Sequence, residues 1–135
     1  MSIARLGIVM MSLVTISACA SFSEQADPRL VGSWRGERET SSACRYLSWD
    51  SQFDADGKFT ITFFSDAEHK ARIQTEKGTW RTYDGINELK TNGVPTPELY
   101  RYTLLDANTV KYVNIVSDPS ADCQSDYEFV EKRIK

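Results

Sequence analysis

The chain has 135 residues, with 16 Lys and Arg against 19 Asp and Glu, one histidine and a formal net charge of −3. Acidic and basic residues are interleaved, with no run of five like charges, which argues against nucleic-acid binding and against electrostatic attachment to a membrane. The cysteines number three, and an odd thiol in an oxidising compartment asks for a partner or a modification.

Residues 1–18 have the three parts of a secretory signal. Arg5 gives a thin positive start, residues 7–16 are an uncharged and mostly apolar stretch, and Ser17 and Ala18 are small enough to lie extended in a peptidase groove. Ten residues rise about 15 Å as a helix, roughly half a bilayer core, so this stretch is too short to span. Cys19 follows Ile16-Ser17-Ala18 directly. The arrangement resembles the signal peptide of bacterial lipoproteins. That resemblance implies cleavage before Cys19, which would then carry a thioether diacylglycerol and an acylated amine of the palmitate type. Two or more acyl chains anchor stably where one does not. Ala20 stands after the cysteine in place of Asp, and the family's sorting rule then implies the outer membrane of the cell envelope, facing the periplasm. Cleavage leaves 117 of the 135 residues and removes only Arg5 from the charged set, taking the net charge from −3 to −4. A chain of that size builds one domain around one core. Residues 19–29 are polar, end in Asp27-Pro28-Arg29 and read as a tether, with the folded domain over 30–135.

From Leu30 onward apolar residues alternate with polar ones and turn residues break the runs, a pattern that predicts β-strands throughout. Eight strands are expected. The first covers 30–40, with Gly32, Trp34 and Gly36 on one face. The second covers 45–53 and carries Leu47, Trp49 and Phe53 on one parity. Asp54-Ala55-Asp56-Gly57 turns the chain into the third, 58–65, where Phe59, Ile61 and Phe63 point inward. A loop at 66–72, expected to hold one helical turn, leads to the fourth strand at 73–82, with Gly78 and Trp80 together. Asp84-Gly85 marks a tight hairpin into the fifth, 86–91. The breaker-rich loop 92–98 precedes the sixth strand, 99–105, with Tyr100, Tyr102 and Leu104 on one face. Asp106-Ala107-Asn108 turns it into the seventh, 109–116. After the loop 117–124 comes the eighth, 126–134, with Tyr127 and Phe129 on the same side as Arg133. Short connections favour antiparallel neighbours, so an all-β, eight-stranded up-and-down barrel is expected, with a β-sandwich as the alternative.

If Cys19 takes a lipid, Cys44 and Cys123 remain as a pair. In an eight-strand meander they precede strands two and eight, which start at the same rim with strand one between them. Their separation is then about 10 Å at the strand starts, which loops can bridge to form a disulfide.

Gly32-Ser33-Trp34 at the opening of the first strand and Arg133 near the end of the last resemble the pattern of lipocalins and the wider calycins. The resemblance implies a barrel closed beneath by Gly32 and Trp34, with the Arg133 guanidinium lying over the indole as a cation–π contact. The chain is also similar to bacterial metalloprotease inhibitors, which share an eight-strand barrel, a Gly-x-Trp start and a disulfide.

No residue pattern for catalysis stands out. His69, the single histidine, lies among Asp66, Glu68 and Lys70 in a polar loop and reads as a solvated residue, without the second His or Cys that zinc needs. Asp54-x-Asp56-Gly57 resembles the start of a calcium loop, but its twelfth position is Ser65, so a hairpin turn is the better reading. The sequence therefore predicts no enzyme, metal or cofactor. Its aromatic residues fall mostly on inward faces, and Trp49, Trp80, Tyr100 and Tyr102 are the expected lining of a small apolar pocket. Two functions follow as expectations. One is an envelope lipoprotein that binds a small apolar or amphipathic molecule inside its barrel. The other is a protein-interaction module, such as an inhibitor of an envelope protease or lysozyme or an assembly factor, that would use the loops 92–98 and 117–124.

Overall fold

The alternating runs form strands wherever a turn residue lets the chain reverse. A computed structural model of the protein describes residues 26–38, 44–116 and 128–134. Its strands are β1 (Gly32–Arg38), β2 (Leu47–Phe53), β3 (Lys58–Phe64), β4 (Arg72–Tyr83), β5 (Ile86–Thr91), β6 (Glu98–Asp106), β7 (Thr109–Asn114) and β8 (Glu128–Arg133). Each pairs antiparallel with its sequence neighbours, and β1 pairs with β8, so the sheet is a closed up-and-down barrel and not a sandwich. No helix occurs among the described residues.

Local chemistry sets the reversals. Asp84 (φ 50) and Gly85 (φ 73) both take left-handed conformations, the backbone a two-residue hairpin needs to follow strand twist. In the β2–β3 turn the Gly57 N–H donates to the Asp54 carbonyl at 3.1 Å, and the Asp56 side chain accepts from the Lys58 N–H at 3.1 Å. The segment 66–71 is a turn and not the expected helical turn. The Asp66 carboxylate accepts from the N–H groups of Lys70 and Ala71, which diverts them from helical bonding, and His69 takes φ 57.

The inward faces are read from the register. Trp34, Trp49, Phe53, Phe59, Trp80, Leu89, Tyr100, Val110 and Tyr112 make the buried core. One end of the barrel is plugged. Residues 26–31 turn beneath it, and Leu30 is completely buried. Asp27 is tied to two strands: its N–H donates to Thr82 Oγ1 at 2.9 Å, and its carboxylate accepts from the Tyr102 hydroxyl at 2.8 Å. Hydrogen bonds from Arg29 hold the Asp27 carboxyl at about 2, although burial pushes the other way.

Arg133 completes this closed end. Its Cζ lies 4.2 Å from the centroid of the Trp34 ring. The same guanidinium donates to the carbonyls of Val31 (2.8 Å), Arg29 (2.8 Å) and Ala107 (3.2 Å). The Trp34 indole N–H donates to the Leu30 carbonyl at 2.8 Å. One side chain of the last strand thus clamps the plug, the β6–β7 turn and the first strand together. Arg133→Ala removes three donors and uncovers the indole, and is expected to lower unfolding free energy by about 2–4 kcal/mol. Arg133→Lys should recover less than half of this, because an ammonium cannot cover the ring while spanning the carbonyls. Urea unfolding of the full-length variants measures both, and an unchanged Arg133→Ala midpoint would refute the clamp.

Candidate functional site

Above the plug the barrel is hollow. A cavity of about 280 Å³ opens at the rim formed by the end of β1 and the start of β2, where Arg38, Leu47, Ile73, Gln74, Glu98 and Asn114 stand. Its walls are apolar and aromatic: Phe53, Ile61, Phe63, Leu89, Tyr100, Phe129 and Trp49. The rings meet edge to face, with Trp49 and Phe129 centroids 5.0 Å apart at 87° and Tyr100 and Phe129 5.6 Å apart at 75°. The volume lies just below the usual range for ligand pockets, about 300–1,000 Å³.

The floor is polar. Glu131 is paired across the seam with Gly36, and Gly36 in turn is paired with Trp49. This row explains a glycine that β-propensity would not choose. A Cβ on Gly36 would overlap the six-membered ring of Trp49, so the indole lies flat across β1 and reaches β8. There its N–H donates to Glu131 Oε1 at 2.7 Å, and Ser51 Oγ donates to the same oxygen at 2.9 Å. Among the described residues the second oxygen, Oε2, has no hydrogen-bond partner, and the Asn87 amide and the Tyr112 hydroxyl make no well-aligned bond, although Asn87 lies near enough to Tyr112 to act on its hydroxyl. All three side chains line the cavity and are at most 3% exposed. Buried polar atoms left unpaired cost about 1–3 kcal/mol each, so a cluster facing one cavity calls for a reason.

Burial raises the Glu131 carboxyl from its ordinary 4.5 to about 7, even though the hydrogen bonds from Trp49 and Ser51 act to lower it. Burial also raises the Tyr112 hydroxyl well above its ordinary value, with the Glu131 charge adding to the effect.

Of the residues expected to line a pocket, Trp49 and Tyr100 do so, while Trp80 and Tyr102 sit at the closed end. Both point inward, but the Trp80 indole N–H donates to the Asp54 carbonyl at 3.0 Å and its ring packs edge-on against Phe53, 5.0 Å away. Tyr102 is committed to Asp27. His69 also departs from its expected solvated setting. Its ring is 7% exposed, packs against Phe64 with centroids 4.7 Å apart, and places Nδ1 3.1 Å from Asp50, although not aligned for a hydrogen bond. The left-handed turn folds the ring back onto the outer wall. Among the described residues no three His, Cys, Asp or Glu side chains are grouped to hold a metal ion. Cys19 and Cys123 lie outside the described residues, and Cys44 is half-buried just before β2 at the open rim.

No protein-family model matches this chain, and no curated protein matches its sequence.

Two expectations follow. The folded state binds the Glu131 proton more tightly than the unfolded chain does, so stability falls as pH rises from 4.5 to about 7 and then levels. Glu131→Gln keeps an acceptor for Trp49 and Ser51 and removes that titration. At about pH 8 it should be more stable than wild type by about 3 kcal/mol, with near-equal stability at about pH 4.5. Thermal melts across this range check it, and parallel pH curves for the two proteins would refute it. Gly36→Ala should displace the Trp49 indole and destabilise by about 1–3 kcal/mol. Tryptophan fluorescence should shift with it, and an unchanged spectrum and melting temperature would show that the indole does not need that glycine.

Proposed function

We propose that this protein is a lipid-anchored lipoprotein of the bacterial envelope that binds a small amphipathic molecule inside its barrel. The observation that carries the binding role is the polar floor beneath aromatic walls, where Glu131 Oε2, the Asn87 amide and the Tyr112 hydroxyl make no well-aligned hydrogen bond among the described residues. A barrel built only for stability would fill its interior with apolar side chains, as eight-stranded barrels of this size are able to do. Keeping a carboxyl buried there lowers stability near neutral pH, a cost that binding a partner would offset. The lipid anchor rests on Cys19 in its signal-like context, and the Cys44–Cys123 disulfide on the cysteine count that remains. Binding is the role this reading gives the pocket, and catalysis is not part of it; Glu131 Oε1 is held by the Trp49 indole and the Ser51 hydroxyl.

Two measurements on the full-length protein test the reading. Intact mass spectrometry of natively purified material is expected to report a chain that begins at Cys19 with lipid mass attached, one disulfide and a retained small molecule. Calorimetric titration with phenylbutanol, a neutral amphiphile that matches the apolar walls, should give saturable 1:1 binding. A chain still beginning at Met1 would refute the anchor, and absence of both a retained molecule and phenylbutanol binding would refute the pocket.

A further inference from the structure

The cavity's charges are unevenly placed. Three carboxylates line it, Glu131 from β8, Glu76 from β4 and Glu98 from β6, against one guanidinium, Arg38 from β1. Arg38 stands at the rim and donates through Nε and an Nη to the Arg45 carbonyl, each at 3.1 Å. Glu98 also stands at the rim and accepts from the Tyr100 hydroxyl at 2.8 Å. Among the described residues the ionisable groups at the floor are Glu131 and Tyr112, and both are either neutral or negative. Among the described lining residues no cation stands at that floor.

The hydrogen-bonding inventory points the same way. Glu131 Oε1 already accepts two bonds, from Trp49 and Ser51. Its Oε2 is bare, as are the Asn87 carbonyl oxygen and the Tyr112 hydroxyl oxygen. The Asn87 Nδ2 group is bare too and the Tyr112 hydroxyl can also donate, so the floor has donors beside its three acceptors; the one charged atom among them is an acceptor, Glu131 Oε2, and a group with three N–H donors matches the acceptors in number. Around this floor, Tyr112 and Phe129 have centroids 5.3 Å apart, and Tyr100 and Tyr112 6.0 Å apart, so several ring faces and edges border the position a cation would take. An anion would meet a carboxylate with no compensating charge, in a medium where repulsion is poorly screened.

Building on the pocket reading above, we infer that the ligand class is a primary amine with an aromatic or alkyl tail, its ammonium on Glu131 Oε2, Asn87 Oδ1 and the Tyr112 hydroxyl and its tail along the Trp49–Phe129 wall. The bound ammonium supplies the charge partner that the buried carboxyl lacks within the protein. Glu98 at the rim and Glu76 on the β4 wall, which accepts from Gln74 Nε2 at 3.0 Å, give the entry a negative lining. The cavity's small volume restricts the tail to about one ring or a short chain.

A matched series of phenylbutylamine, phenylbutanol and phenylbutyrate separates charge from shape, since the three share one tail. Calorimetric titrations of the full-length protein at about pH 8 should rank amine above alcohol by about tenfold or more, with the carboxylate weakest, because a charge-assisted bond in a dry site contributes more than a neutral one. Glu131→Gln should bring amine and alcohol to within about threefold, mostly by weakening the amine. Asn87→Leu, on β5 and outside the β1–β8 pairing, should weaken the amine as well. Alcohol bound as tightly as amine overturns the amine assignment and leaves the pocket standing, as does an amine preference that survives Glu131→Gln. Failure of all three compounds to bind overturns both. The ranking in the wild-type protein decides the matter even if a variant does not fold.

Discussion

Everything inside this molecule depends on the closure of β1 onto β8. Among the described residues the seam has three residue pairs, Trp34 with Arg133, Arg35 with Lys132 and Gly36 with Glu131, extended by a bond from the Ile134 N–H to the Ser33 carbonyl at 2.8 Å. Backbone pairing over so few residues is a weak fastening. Side chains reinforce it at both levels. Below, the Arg133 guanidinium lies on Trp34 and gathers carbonyls from the plug and the β6–β7 turn. Above, the Trp49 indole crosses Gly36 and bonds to Glu131, so β2 is tied to β8 over the intervening strand. Open the seam and the sheet regains two exposed edges, and the cavity ceases to exist.

The upper clasp is costly chemistry for a fastening. Indole and hydroxyl donors could have been matched by a neutral acceptor, yet the acceptor is a carboxyl pushed up to about 7 by its burial. A glutamine there would satisfy the same two donors without a charge to desolvate. Its second oxygen shares the cavity with Asn87 and Tyr112, and among the described residues none of the three makes a well-aligned hydrogen bond there. The lower clasp has no such surplus, since every carbonyl reached by Arg133 is paired and its charge is spread over an aromatic face. One end of the barrel therefore satisfies its own polar groups, and the other leaves polar atoms unpaired among the described residues.

Most of the strand plan was legible, because period-2 alternation and turn residues such as Asp84-Gly85 are local signals. Gly32, Trp34 and Arg133 were found because they sit at recognisable ends of the chain. The polar floor was harder to see. Phe129 and Arg133 on one face of the last strand force Glu131 onto the same face, so its inward orientation was present in the parity, but a charge on an apolar face is easily read over. Asn87 lies in Ile86-Asn87-Glu88-Leu89, where Asn87, Glu88 and Leu89 are all buried and alternation fails. Trp80 and Tyr102 expose a different limit. Parity gives the inner face but not the height along the axis, which follows from strand tilt and stagger. The burial of His69 needed a left-handed backbone that no hydrophobic pattern encodes.

Under the proposed anchor, the turn that stoppers the base would also orient the molecule. Ala26 lies among the residues packed there, and Cys19 is seven positions earlier, a reach of at most roughly 25 Å of extended chain. Under the proposed anchor the stoppered base is the end drawn toward the bilayer, and the mouth is the end held farthest from it. A guest would then arrive from and leave to the surrounding water, not sideways out of the lipid. The barrel would stand on its membrane like a cup on a short stem, upright and filled from above.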